Sequence, residues 1–173
     1  MDIVDRLNHG EFYSQDSIKQ DKSKLFHTMN GRKVYGGGGI MPDIFVPEDT
    51  TGLTSYYMEA VNKGLINSFA QQMAEAYRPM MRAKTVDEML RIIPRDNTLL
   101  NNFATYAAGK GLPARWYYIN QSRSVLLNQI KAVIARDLVG YEGLIQILNQ
   151  QDKTLDKALE MLEGNKSPVS ITR

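Results

Sequence analysis

From residue 57 onward, apolar side chains return every four residues: Tyr57, Val61, Leu65, Phe69, Met73 and Tyr77. That spacing collects them on one face of a helix and on no face of a strand. A chain that carries such a stripe has to bury it against other helices. Thr54 or Ser55 is placed to cap the start, and Pro79 to kink or end the helix. The same signs recur downstream. Thr85-Val-Asp-Glu88 has the form of a capping box, which predicts a short helix to Ile93 before Pro94. Asp96 or Thr98 would cap a helix carrying Leu99, Leu100, Phe103 and Tyr106, closed by Gly109 and Gly111 before Pro113. From Trp116, the residues Ile119, Leu126, Ile130, Val133, Ile134 and Leu138 give one apolar face with Gly140 as its stop. Two shorter segments follow, Tyr141 to Asn149 and Leu155 to Leu162. The expected fold is mainly α, a bundle of about five or six helices.

The 173 residues are 43% hydrophobic and 23% charged, an ordinary globular composition rather than a disordered one. With 21 basic against 19 acidic residues, the net charge of +2 sets up no broad field to hold a polyanion, so nucleic acid is not an expected partner. The absence of cysteine removes disulfides, thiolate nucleophiles and Cys-based zinc sites, and leaves the redox compartment open. The opening MDIVDRLNHGEFYSQDSI has three acids in its first eleven residues and no apolar run, so it is read as neither signal peptide nor membrane anchor.

Before residue 52 the character differs. Lys24 to Thr28 and Lys33 to Tyr35 flank Met29-Asn-Gly-Arg32, and Asn-Gly between short β-prone runs predicts a hairpin. Four glycines, Gly36 to Gly39, then lead through Pro42 to Ile44, Phe45 and Val46, read as a third short strand. The expected division is a hairpin region 1–52, a helical domain 53–164, and a loose tail 165–173 that contains Pro168 and no periodicity.

Candidate chemistry is sparse. The glycine run would cradle phosphate if it opened a helix, but it leads to Ile-Met-Pro-Asp with no Gly-Lys-Ser/Thr, so it is read as a tight structural crossing. His9 and His27, with Asp5, Glu11, Asp16 or Asp43, show no ligand spacing on a helix, and no metal or cofactor is expected. Ser14 or Ser23 with His27 and Asp43 makes a triad only on paper, unsupported by a nucleophile elbow. Asp152, Lys153, Asp156, Lys157 and Glu160 read as a solvated face. Trp116, Tyr117 and Tyr118 beside Arg115 and Arg123 are read as helix core and helix end rather than a base-stacking platform. Met58, Met73, Met80, Met81 and Met89 are read as core filling rather than an adaptable binding surface. No catalytic residue is assigned.

The run Phe26 to Val46, FHTMNGRKVYGGGGIMPDIFV, resembles the end of the catalytic domain in the C-terminal processing peptidases, or tail-specific serine proteases. Members of that family follow their catalytic residues with a strand, a turn containing Gly-Arg, and a Gly-Gly-Ile-x-Pro-Asp-x-x-Val exit. Here these are Gly31-Arg32 and Gly38-Gly-Ile-Met-Pro-Asp-Ile-Phe-Val46. The flanking RLNHGEFYSQDSI and VPEDTTG look like the Bacteroides-type version, in which an insertion widens the hairpin and a helical tail follows. The segment from Ile130 to Leu162 is similar to that tail with less specificity.

The resemblance implies an exported parent of the cell envelope, with a PDZ domain for the substrate's C-terminal tail and a serine nucleophile activated by a lysine. A lysine base has to be kept deprotonated by its surroundings. In the family both residues precede the glycine-rich exit, in motifs this chain lacks, so none is carried over and the chain alone is expected to be inactive. The hairpin would be the edge of the protease core, and the helical region would brace that core or mediate self-association. The alternative is a free-standing helical module that binds a protein partner.

Overall fold

The structure, a computed structural model, describes residues 3–14, 17, 23–31, 33–36 and 44–164. In chain order its elements are α1 (Ile3–Asn8), β1 (Leu25–His27), β2 (Lys33–Tyr35), α2 (Ser55–Asn62), α3 (Leu65–Tyr77), α4 (Val86–Ile92) and α5 (Asp96–Gly109). These are followed by α6 (Trp116–Gln121), α7 (Arg123–Leu138), α8 (Tyr141–Leu148) and α9 (Lys153–Glu163). The chain is mainly helical, with one short antiparallel pair of strands among the described residues, lying between α1 and α2. Contacts divide it into two units, Thr50–Asp152 and the described parts of Met1–Asp49 with Lys153–Arg173. Thus α9, expected within the helical domain, groups with the N-terminal residues.

Two stripes expected as single helices are each broken in two. The first breaks at Gly64, whose φ of +65° is left-handed, and Gly64 N–H bonds back to Val61 O at 2.9 Å in a tightened turn. The break rotates Val61 out to 44% exposure, while Leu65 and Phe69 stay in the core and Met73 and Tyr77 pack against it. A one-turn 3-10 helix over Arg78–Met80, containing Pro79, then ends α3. Arg78 Nη1 donates to Asp137 O at 3.0 Å, satisfying a carbonyl at the end of α7.

The second break falls at Ser122, between α6 and α7. Ser122 is fully buried; its Oγ lies 2.6 Å from Gly52 O and 2.6 Å from Thr54 Oγ1. A carbonyl only accepts, so the Ser122 proton goes to Gly52 and the Thr54 proton to Ser122. Thr54 Oγ1 is then free to accept Tyr57 N–H at 3.3 Å, which makes Thr54 the N-cap of α2. Gly52 belongs to the same knot. Its φ is +87°, and an added Cβ would stand 3.1 Å from Gln121 O.

Only half of the expected capping box is formed: Glu88 N–H donates to Thr85 Oγ1 at 3.3 Å, but Thr85 N–H goes to Ala83 O at 3.0 Å and the Glu88 carboxylate accepts from Arg91 Nη1. At α5 neither Asp96 nor Thr98 is the cap. Arg95 holds that position without a side-chain bond, and the Asp96 carboxylate instead takes Lys131 Nζ at 2.6 Å. The other end of α5 closes as a Schellman motif, with Gly111 N–H to Ala108 O and Leu112 N–H to Ala107 O, Gly111 at φ +83° and Leu112 buried.

α7 is the central helix, packed against α3, α8 and α5. The expectation of one apolar face is too narrow. Ala132, Val133, Ile134 and Ala135 are buried in succession, as in a helix enclosed on more than one side. Gly143 lets α8 come close behind it, since an added Cβ would lie 2.8 Å from Val139 Cβ and 3.2 Å from Ala135 O. Phe103 of α5 meets Phe69 of α3 edge-on, with ring centroids 5.5 Å apart and planes at 68°.

Tyr56 is fully buried, yet its hydroxyl has no hydrogen-bond partner among the described residues. Burial pushes its pKa above the ordinary phenol value; Arg115 opposes the rise and Glu59 adds to it. An unpaired buried hydroxyl is a cost, so Tyr56→Phe should be at least as stable as the parent, gaining up to about 1 kcal/mol at neutral pH. The pH dependence has a definite sign. The buried phenol resists ionising, so folding stability falls as pH rises past about 10, where an unfolded tyrosine ionises. Tyr56→Phe should lessen that alkaline loss without abolishing it, because burial raises the Tyr57 pKa too. Melting curves at neutral and alkaline pH check both statements, and a clear loss at neutral pH would show that the hydroxyl is bonded.

Candidate functional site

In the N-terminal unit the hairpin forms with register Leu25 to Tyr35, Phe26 to Val34 and His27 to Lys33. Gly31 takes φ +76° in the connection, its N–H bonded to Thr28 O at 2.9 Å. Gly36 follows β2 at a close approach, where an added Cβ would lie 2.9 Å from the Phe26 ring. Leu25 and Phe26 are exposed, and the sheet has two strands among the described residues. Ile44, Phe45 and Val46 form no third strand, since no described strand offers them a ladder. Arg32 and residues 37–43, which carry much of the Gly-Arg and Gly-Gly-Ile-x-Pro-Asp motifs, lie outside the described residues, as does the tail 165–173.

Asp43, shared by the candidate triad and the metal set, and Asp16 of the metal set lie outside the described residues. Among the described residues no group of three His, Asp or Glu side chains is placed to hold a metal ion. Glu11 is buried and pairs with Arg6 Nε at 2.8 Å, a structural tie at the exit of α1. His27 is exposed on β1. No described helix is long and apolar enough to cross a membrane.

In the helical unit the aromatic row is at the surface rather than in the core. Trp116 is 44%, Tyr117 70% and Tyr118 38% exposed, and α6 buries only Ile119. The reason is its length: six residues, ended by the break at Ser122, turn a single side chain inward. Arg115 lies 5.8 Å from the Tyr118 ring and pairs with Glu59 at 3.0 Å. Lys63, bonded to the same carboxylate, and then Arg115 hold the Glu59 pKa below the usual range. The methionines divide: Met89 is fully buried, Met73 and Met81 pack against the core, and Met58 and Met80 are exposed.

A concave feature of this unit is a groove that sequence spacing does not reveal. One part, about 520 Å³, is lined by Leu90, Ile93 and Pro94 from the end of α4 and by Arg123 and Lys131 of α7. Arg95 and Asp96 also line it. Past Asp96, Arg123 and Lys131, which line both parts, it continues into a hollow of about 430 Å³ whose lining includes the amide residues Asn120, Gln121, Asn128, Gln150 and Gln151. Arg123 donates to Asn97 Oδ1, a neutral partner, and Lys131 is only 20% exposed. The guanidinium of Arg95 has no partner among the described residues. In sequence Asp96 reads as a candidate cap and Arg123 as a neighbour of the aromatic row, and nothing ties either to Arg95 or Lys131; only the packing of α4, α5 and α7 brings them together.

Comparison with known proteins bears on the same unit. A family model described as a family of unknown function (DUF8443) matches residues 56–140, just under half of the chain. No curated protein and no solved structure matches it. The chain is thus similar to that family from α2 through α7, and the match leaves the hairpin region aside.

Proposed function

We propose that this chain is the carboxy-terminal, non-catalytic portion of a C-terminal processing serine endopeptidase of the cell envelope. Its helical unit braces the protease core or mediates assembly. The observation that carries the reading is the run from Phe26 to Val46, with its Gly31 turn and Gly36 close approach, set in a pair of three-residue strands. Two such strands with exposed Leu25 and Phe26 are marginal alone and suit the edge of a larger sheet. The serine and lysine of the activity would belong to the parent's preceding domain, and the purified chain should cleave no peptide.

A second reading, a free-standing helical interaction module, draws on a specific observation: the helical unit carries its own buried core and matches a family model without the hairpin. An immunoblot of source cells with an antibody against this chain separates the two, with mass spectrometry of the recovered band. A band several times larger, yielding peptides with a candidate serine and lysine, supports the protease. A band at the chain's own size overturns it in favour of the module.

A further inference from the structure

The charges of the groove do not balance. Arg95, Arg123 and Lys131 line it with a single carboxylate, Asp96, and that carboxylate is taken by Lys131. Arg123 is half-buried against a neutral amide, and Arg95 is unpaired among the described residues. Two guanidinium groups thus stand uncompensated beside an apolar seat of Leu90 and Pro94, floored by the buried Ile93. A guanidinium fork matches a carboxylate with two parallel N–H donors. The adjoining amides offer both donors and acceptors, which suits the backbone of an extended chain.

We propose that this groove docks an acidic peptide segment of a partner protein, with carboxylates on Arg95 and Arg123 and an apolar side chain against Leu90 and Pro94. The inference stands on the helical unit alone and does not require the protease reading.

The test is fluorescence anisotropy of the full chain with a short labelled peptide of alternating glutamate and leucine. A peptide of lysine and leucine and inorganic phosphate serve as comparisons. The glutamate peptide should bind, more weakly as salt rises, and Arg95→Ala with Arg123→Ala should lower its affinity about tenfold or more. Equal binding of the lysine peptide, no binding of the glutamate peptide, or full affinity in a double variant of unchanged melting temperature would overturn the proposal. Displacement of the glutamate peptide by phosphate alone would also overturn it, in favour of a phosphate site. If the double variant does not melt cooperatively, Arg95→Glu decides, since that guanidinium has no described partner to lose. It should weaken binding at least as much as Arg95→Ala, and unchanged binding would overturn the proposal.

Discussion

Phe103→Ala is expected to destabilise the helical unit by about 3–5 kcal/mol, the range for deleting a fully buried aromatic ring. Phe103 has no solvent exposure, and the ring it meets edge-on, Phe69, also lies against Tyr106 with centroids 5.5 Å apart. Removing it strips contacts from α3 and α5 together, and the backbone around a packed interior closes only partly over the space left. For a unit of this size the loss corresponds to a fall in melting temperature of roughly 15 °C or more. Circular dichroism melts of the parent, Phe103→Leu and Phe103→Ala should rank in that order. A Phe103→Ala protein melting within a few degrees of the parent would mean that the edge-on contact between α3 and α5 is not formed in solution.

Ser122→Ala should cost about 2–3 kcal/mol, because one substitution orphans both the Gly52 carbonyl and the Thr54 hydroxyl at a fully buried point. Thr54→Ala should cost about 1 kcal/mol through the lost cap of α2. The two side chains share one hydrogen-bond chain, so the double variant should cost less than the sum of the singles by about 1 kcal/mol. Denaturant unfolding of the four proteins measures this directly. Strict additivity would show that the proton chain from Thr54 through Ser122 to Gly52 is not what joins the α2 entry to the break between α6 and α7.

Read alone, the chain determined what lies within a few residues of its cause. The Thr85 cap of α4, the close of α5 at Gly111, the hairpin turn at Gly31 and the mainly helical class all follow from local backbone preference and apolar spacing. Spacing did not reveal the breaks at Gly64 and Ser122. A stripe with a period near four runs through a single left-handed glycine, and a serine in a helical pattern looks ordinary until Gly52 and Thr54, some seventy residues earlier, claim its hydroxyl. Those breaks turned Val61 and the aromatic row to solvent, and the packing of α7 among its neighbours buried more of it than one face. The groove has the same origin. Asp96 looked like a cap, and only the approach of α7 to the end of α4 and the start of α5 gave it Lys131 as a partner and left Arg95 and Arg123 unbalanced. Local chemistry set the elements and their class. Contacts between residues distant in sequence, which depend on how helices meet rather than on neighbouring residues, decided where helices break, what is exposed and where the groove opens.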